Sequence, residues 1–386
     1  MKVLYAASEA LPFIASGGLG DVAGSLPHAL RKRLIGCRVV LPMYDTIKQE
    51  LKDTMKFITH ISVPVAWRRQ YCGIFEAKYN GVIYYLIDNQ YYFKRDTIYG
   101  HYDDAERYAF FSRAVLEMLK VIDFKPQIIN SNDWQCALIP VYYSIFYRND
   151  EKLWGIKNVF TIHNIQYQGR YGMEILEDVL GIPKHFASLM EYDRDINLMK
   201  AAIEVSDKVT TVSPTYAREI LDPWFSHGLD RALADKQYKT CGFLNGIDTD
   251  MYNPATDPAI PANFTVTKKA GKKTCTQKLL EEVGLPQGDE PVLGMVSRLV
   301  EHKGFDLVKC VFDDIINLGY KVVILGSGEA QYEQFFHEMR WKYPDRVAFT
   351  CGYIPDLAKK IYAGANMFLM PSKSEPCGLS QMIAMR

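Results

Sequence analysis

The stretch that decides the fold is NMFLMPSKSEPCGLSQMIAMR, residues 366–386. Its first five residues form an apolar run that predicts a buried strand of a parallel sheet, and a turn rich in Pro and Ser follows. A helix then begins at GLSQMIAM. Glu375 therefore stands where a strand passes into a helix, and ligand crevices form at the carboxyl ends of parallel strands. The N–H groups of Gly378, Leu379 and Ser380 would lie at the helix N-terminus, which favours a bound anion. A carboxylate beside such a helix end suits a sugar-nucleotide site.

Length and composition set the class of protein. A chain of 386 residues, 48% hydrophobic and 23% charged, predicts a globular protein of two domains. Lys plus Arg and Asp plus Glu are both 45, so the net charge of zero argues against a nucleic acid or a membrane surface as partner. The eight cysteines form no C-x-x-C pair, and no signal peptide or membrane-spanning run is present. We therefore expect free thiols and a cytoplasmic location.

Short apolar runs alternate with helical patterns along the chain, which predicts parallel, doubly wound α/β sheets. Strand-like runs occupy residues 3–7, 37–42, 82–87, 127–131, 159–164, 208–213, 292–297, 320–326, 346–352 and 366–370. Helical periodicity is clearest over residues 105–122. We predict a Rossmann-like N-terminal domain over 1–253, a Pro-rich linker over 254–273, and a second Rossmann-like domain over 274–386 whose sheet is incomplete.

A glycine turn, SGGLGDV, follows the first predicted strand. Gly17 and Gly18 let the backbone approach a ligand closely, and the next helix N-terminus offers N–H donors to a phosphate. A plain turn between strand and helix is an equally good interpretation. Asp21 is then either a partner of the helix dipole or a carboxylate that faces a cleft. The motif lacks the G-x-G-x-x-G fingerprint, which disfavours a dehydrogenase.

Polar residues also follow several of the later strands. His163 lies at the end of one strand, and although a lone histidine is usually structural, this position favours a role in a cleft. Asp133 and Trp134 follow the preceding strand, and Asn245 lies in another strand-end loop. No cluster of carboxylates or histidines accompanies the D-T-D triplet at 248–250, so we predict no metal site there.

Two cations mark a strand-to-helix crossing in the second half. Arg298 follows a buried strand, and Lys303 lies five residues further on, just before a helix. A pair of cations at this position would stabilise a diphosphate leaving group as its charge develops. Two solvated surface cations are the alternative, but strand ends are unusual places for them. Tyr353, in another strand-end loop, either stacks on a base or fills a turn.

Taken in order, SGGLGDV, TIHNIQYQG, LNGID, SRLVEHKG and SEPCGL resemble the motifs of bacterial glycogen synthases and plant starch synthases. The resemblance covers essentially the whole chain. It implies the GT-B fold, in which two Rossmann-like domains face a cleft. It also implies retaining transfer of glucose from ADP-glucose to the non-reducing end of an α-1,4-glucan, in glycogen biosynthesis, with no metal or other cofactor.

The resemblance implies roles for individual residues. Arg298 and Lys303 match the pair that holds the diphosphate, and Glu375 matches the carboxylate that hydrogen-bonds the hydroxyls of the donor sugar. His163 matches the histidine near the donor glucose. The other matches are Gly17, Gly18 and Asp21 at the donor phosphates and acceptor side, Asp133 and Asn245 in the cleft, Tyr353 near adenine, Cys377, Gly378, Leu379 and Ser380 beside the carboxylate, and Glu9 at the acceptor side.

Two departures from the family pattern affect the expected activity. Ala15 stands where the family usually has a lysine before the Gly-Gly turn, so Arg298 and Lys303 would hold the phosphates without that cation. The family also continues with further strands and a terminal helix beyond the position of Arg386. We therefore expect the 386-residue form to be inactive or nearly so.

The parts suggest front-face chemistry, because no second carboxylate is paired with Glu375 as in retaining glycosidases. A phosphate oxygen of the departing ADP would help to deprotonate the acceptor. Two alternatives stay open: a related GT-B transferase that uses UDP-glucose, and a glucan-binding fragment that performs no transfer.

Overall fold

The computed structural model describes all 386 residues, which divide into two compact units, Met1–Gly246 and Ile247–Arg386. The Pro-rich stretch interpreted as a linker, residues 254–273, packs within the second unit. Ile260 from this stretch contacts Cys275 and Ala363 in a small apolar cluster. Asp257 is buried and its Oδ2 lies 2.9 Å from Lys359 Nζ. The segment is therefore an integral part of the second unit, because it carries its own apolar and ionic anchors.

Unit 1 contains twelve strands in two sheets. They are β1 (Lys2–Ala6), β2 (Gly36–Pro42), β3 (Lys56–Val65), β4 (Arg68–Tyr79), β5 (Val82–Asp88), β6 (Ile128–Asn132), β7 (Lys157–Ile162), β8 (Arg170–Tyr171), β9 (Glu191–Tyr192), β10 (Asp195–Asn197), β11 (Lys208–Thr211) and β12 (Thr240–Gly242). The large sheet has the order β12-β11-β7-β6-β1-β2-β5-β4-β3, and β8-β10-β9 form a small antiparallel sheet. All six runs predicted as strands in this half occur, within two residues at each end.

Ten α-helices complete unit 1. They are α1 (Gly18–Lys32), α2 (Gln49–Lys52), α3 (Gln90–Phe93), α4 (Asp104–Leu119), α5 (Leu138–Tyr142), α6 (Ile175–Asp178), α7 (Ala187–Met190), α8 (Leu198–Val205), α9 (Pro214–Glu219) and α10 (Asp230–Asp235). Helix α4 is the clearest helix of the sequence and is buried along almost its whole length. It holds even a fully buried Arg107, which is tolerated because its guanidinium donates to Asp104 and to the Tyr92 and Ile98 carbonyl oxygens.

The large sheet departs from the all-parallel expectation at one edge. Strands β3 and β4 form an antiparallel hairpin, and β4 also pairs antiparallel with β5. The hairpin turn is Ala66-Trp67, with Ala66 in the left-handed region at φ 50°. More buried and more exposed side chains alternate over residues 59–65 of β3, and β4 is exposed or half-buried at both ends, which is typical of an antiparallel edge with one solvated face. A prediction based on continuous apolar runs therefore misses this hairpin.

Unit 2 is a four-stranded parallel sheet with helices on both faces. Its strands are β13 (Val292–Val296), β14 (Lys321–Gly326), β15 (Val347–Cys351) and β16 (Met367–Phe368), in the order β15-β14-β13-β16. Its helices are α11 (Ala270–Val283), α12 (Phe305–Asn317), α13 (Ala330–Lys342), α14 (Pro355–Gly364) and α15 (Leu379–Met385). The four predicted strands all occur, although β16 is shorter than its apolar run.

Strand alternation produces the two cores of unit 2. Ile324 and Phe349 belong to the apolar cluster that holds α12 and α13, whereas their neighbours Val323 and Ala348 belong to the cluster that holds α11 and α14. Gly294 allows close packing on the face of the sheet that α11 and α14 cover. A Cβ there would lie 2.8 Å from the Ile361 side chain, so only glycine lets α14 approach the sheet this closely.

Candidate active-site residues

The strand order of unit 1 brings several of the predicted site residues to one edge. Strands β1, β6, β7, β11 and β12 are consecutive neighbours and run parallel, so their carboxyl ends lie side by side. Glu9 follows β1, Asp133 follows β6, His163 follows β7 and Asn245 follows β12. This is the edge at which ligands bind in open α/β sheets.

Glu9 is a buried carboxyl without a cation. It is 3% exposed, and its Oε2 accepts hydrogen bonds from the Ser16 N–H at 2.5 Å and from the Ser16 hydroxyl at 2.7 Å. Burial raises the pKa of Glu9 to about 7, although the bonds from Ser16 and the Gly20 backbone oppose this shift; the charge of Asp21 adds to it. The loop before α1 therefore holds a carboxyl that takes up a proton near neutral pH.

Asp133 is the second buried carboxyl of this edge. Its backbone adopts φ 55°, an unusual value for a residue other than glycine, and its Oδ1 accepts the His163 N–H at 2.7 Å and the Asn164 N–H at 3.4 Å. Burial raises the pKa of Asp133 to about 7; the two backbone bonds oppose this, and the charge of Glu9 adds to it. Asp133 and Glu9 thus influence each other, which sequence spacing alone does not reveal.

His163 is neutral in this environment, because burial lowers its pKa to about 4. Its Nε2 lies 2.9 Å from Asn132 Oδ1. Asn132 was not among the predicted site residues. The sequence gives only a weak signal for it, because Asn132 is the last of three polar residues, Asn130 to Asn132, that end β6.

Tyr99 is another residue that the motifs did not indicate. Its hydroxyl lies 2.7 Å from the Ser8 Oγ, and burial together with the Glu9 charge raises its pKa. It comes from the loop between α3 and α4, where the sequence has no recognisable pattern, and it reaches the β1 end only through the fold.

In the glycine turn before α1, the position that requires glycine is not one of the two that we predicted. Gly17 has extended backbone that any residue adopts, and the nearest atom to a Cβ there would be Glu9 Oε1 at 3.9 Å. Gly20 is the position that requires glycine, because a Cβ would lie 2.4 Å from the Ala15 Cβ. Gly17 and Gly18 are exposed and Asp21 is half-buried in the first turn of α1. The turn therefore leaves room for a ligand at Gly17.

Trp134 and Asn245 occupy contrasting environments. The ring of Trp134 packs edge-on to Tyr108 at 5.2 Å and near Tyr171 at 6.1 Å, and only 9% of the residue is exposed. It therefore supports the β6 end from within the core. Asn245 is half-buried, and its N–H donates to the Val212 carbonyl oxygen at 3.3 Å.

In unit 2, the carboxyl edge holds a carboxylate and a cation in direct contact. Lys303 Nζ lies 2.6 Å from Glu375 Oε2, and the Ser372 hydroxyl donates to the same oxygen at 3.0 Å. The side chains of Lys303 and Glu375 are 16% and 24% exposed. No protein hydrogen bond engages Glu375 Oε1, so this oxygen is available to a ligand. The structure thus brings together two residues that are 72 positions apart.

Backbone contacts hold these two loops against each other. The His302 carbonyl oxygen accepts the Lys373 N–H at 2.9 Å and the Ser374 N–H at 3.3 Å. Gly304 has φ 76°, and a Cβ there would lie 2.1 Å from the Pro371 carbonyl oxygen. Glycine is required on both grounds, and it places Lys303 beside the β16–α15 loop.

The other predicted site residues of unit 2 lie in loops at the same edge of the sheet as Lys303 and Glu375. Arg298 follows β13, is exposed and forms no ion pair. Tyr353 follows β15 and is 70% exposed, which leaves its ring accessible. Cys377, Leu379 and Ser380 are half-buried and Gly378 is buried, in the turn and first residues of α15.

Comparison with known proteins decides the family. A family model described as the starch synthase catalytic domain matches residues 2–235, and one described as glycosyl transferases group 1 matches residues 277–386. The chain belongs to the glycogen and starch synthase family. It is 48% identical to a glycogen synthase of Anoxybacillus flavithermus and to one of Desulforamulus reducens, covering 100% of this chain and 80% and 81% of those proteins. The chain thus spans about four fifths of their length.

A solved structure of this family has the same fold. The catalytic domain of starch synthase IV from Arabidopsis thaliana, bound to ADP and acarbose, matches 99% of this chain and 80% of that one at 32% identity, with a TM-score of 0.92. The GT-B fold class and the assignment as a hexosyltransferase, both predicted from the motifs, are confirmed. The roles of individual residues stay predictions.

The arrangement of side chains and helices also bears on metals and membranes. No group of three or more His, Cys, Asp or Glu side chains is placed so that it could hold a metal ion. None of the helices combines the length and apolar character needed to cross a membrane. The eight cysteines are all free thiols.

Proposed function

We propose that this protein transfers glucose from ADP-glucose to the non-reducing end of an α-1,4-glucan, with retention of the anomeric configuration. The observation that carries the proposal is the contact of Lys303 with Glu375 at the carboxyl edge of unit 2, in a family that includes a starch synthase solved with ADP and acarbose. The positive charge of Lys303 suits a diphosphate, and the carboxylate of Glu375 suits sugar hydroxyls.

Unit 2 would bind the nucleotide sugar. Lys303 and the exposed Arg298 supply positive charge to the diphosphate, which gains negative charge as it departs. Glu375 Oε2 is already held by Lys303 and Ser372, so its Oε1 would accept hydrogen bonds from hydroxyls of the donor sugar. Tyr353 offers an exposed ring on which the adenine would stack.

Unit 1 would contact the sugars through neutral groups. Glu9 and Asp133 carry protons part of the time near pH 7, and His163 is neutral, so this edge presents hydrogen-bonding groups with little net charge. Such groups suit hydroxyls better than phosphates, because an unneutralised carboxylate repels a phosphate. Gly17 leaves open space for the substrate beside Glu9.

The bond changes follow from these assignments. The bond between the anomeric carbon and the ADP oxygen breaks, and the electron pair leaves with ADP. The 4-hydroxyl oxygen of the acceptor then bonds to the anomeric carbon on the same face. Its proton passes to a phosphate oxygen of ADP, so no enzyme carboxylate has to become a nucleophile. Arg298 and Lys303 would stabilise the departing charge, and no metal is required.

The test is incorporation of labelled glucose from ADP-glucose into glycogen, with UDP-glucose in parallel, by the 386-residue chain and by a form extended to the full length of its glycogen synthase relatives. The extended form is the wild type in all kinetic comparisons. We expect transfer from ADP-glucose, unchanged by a metal chelator, with an α-1,4 linkage that amylase digests. Faster transfer from UDP-glucose would assign a different donor. Glucan binding without transfer from either nucleotide sugar would overturn the proposal and leave a binding protein.

A further inference from the structure

Asn132 is the last residue of β6, is fully buried and connects three neighbouring segments. Its Nδ2 donates to the Ala6 carbonyl oxygen of β1 at 2.9 Å and to the Asn130 carbonyl oxygen at 3.2 Å. Only the amide nitrogen can pair with two carbonyl oxygens, so the other amide atom, facing His163 Nε2 at 2.9 Å, must be Oδ1. The surrounding backbone therefore fixes which way this amide points.

The fixed amide has a consequence for the imidazole. Because Asn132 Oδ1 is an acceptor, the His163 Nε2 has to carry a hydrogen, and in a neutral ring the Nδ1 then carries a lone pair and no hydrogen. Burial keeps the pKa of His163 low, so the neutral ring predominates near pH 7. No protein group bonds to Nδ1.

The backbone of His163 is held from the same strand end. Asp133 Oδ1 accepts the His163 N–H at 2.7 Å, while Asn132 holds the ring. Two consecutive residues at the end of β6 thus fix both the main chain and the side chain of the residue that follows β7. A single strand register, β6 beside β7, sets the position of His163.

We propose that Asn132 is a positioning residue that fixes His163 in the Nε2–H tautomer, so that Nδ1 accepts a hydrogen bond from a hydroxyl of the transferred sugar. This inference rests on the proposed glucosyl transfer. It gives His163 a defined chemical part: the ring receives a hydroxyl hydrogen and donates nothing to the diphosphate, because a neutral Nδ1 has no hydrogen to donate.

The tautomer is measured without any substrate. In protein labelled with ¹⁵N-histidine, the ring resonances of His163 are assigned with His163→Gln, and their shifts report which nitrogen carries the hydrogen. We expect a pure Nε2–H tautomer in the wild type and a mixture in Asn132→Ala. Asn132→Asp keeps an oxygen acceptor whatever its protonation, so it should restore the wild-type tautomer. Wild-type shifts in Asn132→Ala would overturn the proposal.

Kinetics separate positioning from a merely structural role. We expect Asn132→Ala to lower kcat by roughly tenfold to a hundredfold, as is typical for the loss of a group that orients a site residue, with KM changed less and Asn132→Asp recovering part of the loss. The matched control is Asn89→Ala, which removes a buried amide at the β5 end that donates to the Tyr71 carbonyl oxygen and caps α3. If Asn89→Ala lowers kcat as much, the effect is structural and the proposal fails.

A set of deoxyfluoro analogues of ADP-glucose tests the acceptor role. Fluorine cannot donate, so the analogue altered at the hydroxyl that contacts Nδ1 should react slowly with the wild type. Its disadvantage should shrink by at least about threefold in Asn132→Ala, as expected when one hydrogen bond is lost. An equal disadvantage for every analogue in both proteins would contradict the proposal. Failure of the wild type to use ADP-glucose would instead overturn the proposed function, since the ring shifts are measured independently.

Discussion

The carboxyl ends of the strands hold carboxyl groups in both units, but in opposite electrostatic environments. In unit 2 the carboxylate of Glu375 is partly exposed and paired with Lys303 at 2.6 Å. In unit 1, Glu9 and Asp133 are buried, form no ion pair and accept hydrogen bonds from uncharged Ser16, His163 and Asn164 donors. An ion pair keeps both groups charged, whereas burial without a cation favours the protonated acid. We therefore expect the edge of unit 2, here called the ionic edge, to bind an ionic ligand, and the edge of unit 1, the neutral edge, to bind hydroxyls.

This difference predicts the largest effect at the ionic edge. Glu375→Gln keeps the shape but removes the charge that faces Lys303, and we expect kcat for glucosyl transfer to fall by about 10³-fold, the loss typical of a group that acts in the transition state. The control is Glu290→Gln, another carboxylate that pairs with a lysine, Lys321, at 3.1 Å on the opposite end of the sheet. Initial rates for the two variants that agree within roughly experimental error would contradict the assignment of Glu375.

A second test concerns how the ionic edge is assembled. Gly304→Ala would place a Cβ 2.1 Å from the Pro371 carbonyl oxygen in a left-handed conformation, so we expect a loss of roughly 3 kcal/mol in the free energy of unfolding. Gly284→Ala is the matched control, since Gly284 has φ 75° with no atom within 4 Å of a Cβ. It should cost about 1 kcal/mol, from backbone strain alone. If denaturant titrations gave equal losses of unfolding free energy for Gly304→Ala and Gly284→Ala, the close contact with Pro371 would contribute nothing to the loss.

We expect the buried carboxyl of Glu9 to make the free energy of unfolding depend on pH. The pKa of Glu9 is about 7 in the folded protein and 4.5 as a model value, so the native state holds a proton that the unfolded state releases. Stability therefore falls as pH rises, and Glu9 alone should remove about 2 kcal/mol between about pH 5 and pH 7. Glu9→Gln cannot ionise and should lack this share of the slope.

The measurement is a set of urea unfolding curves across that pH range. Glu281→Gln, which changes an exposed carboxylate, serves as the control and should keep the wild-type slope. If Glu9→Gln and the wild type lose stability in parallel, Glu9 is already charged in the folded protein and the edge is not neutral.

The sequence revealed the ionic edge more fully than the neutral one, for a physical reason. Apolar runs mark buried parallel strands, so the positions of Arg298, Lys303 and Glu375 along the chain were enough to predict that their loops share one sheet edge. The hydrogen bond between Asn132 and His163 depends on β6 lying beside β7, which spacing along the chain does not encode. Burial of Glu9 likewise comes from packing of the loop before α1. Gly20, not Gly17, needs to be glycine, because the Ala15 contact exists only in three dimensions.

We expect the smallest effect from Arg298→Ala. This variant distinguishes the exposed Arg298 from the partly buried Lys303 within the ionic edge. Arg298 is exposed and forms no ion pair, so its loss leaves no buried charge unpaired, and Arg298→Ala should change the free energy of unfolding by less than about 0.5 kcal/mol. Its positive charge would act only when a diphosphate is present. We therefore expect kcat/KM for ADP-glucose to fall roughly tenfold, as for one charge-assisted contact at a partly solvated site.

Raising the ionic strength distinguishes this contribution from that of Lys303. Salt screens exposed charges more strongly than partly buried ones, so kcat/KM of the wild type should fall with salt more steeply than kcat/KM of Arg298→Ala. Lys309→Ala, which removes an exposed lysine of α12 outside these loops, is the control and should keep the wild-type salt dependence. Identical salt dependence in the wild type and Arg298→Ala would mean that Arg298 does not meet the donor, and the positive charge of this edge would then come from Lys303 alone.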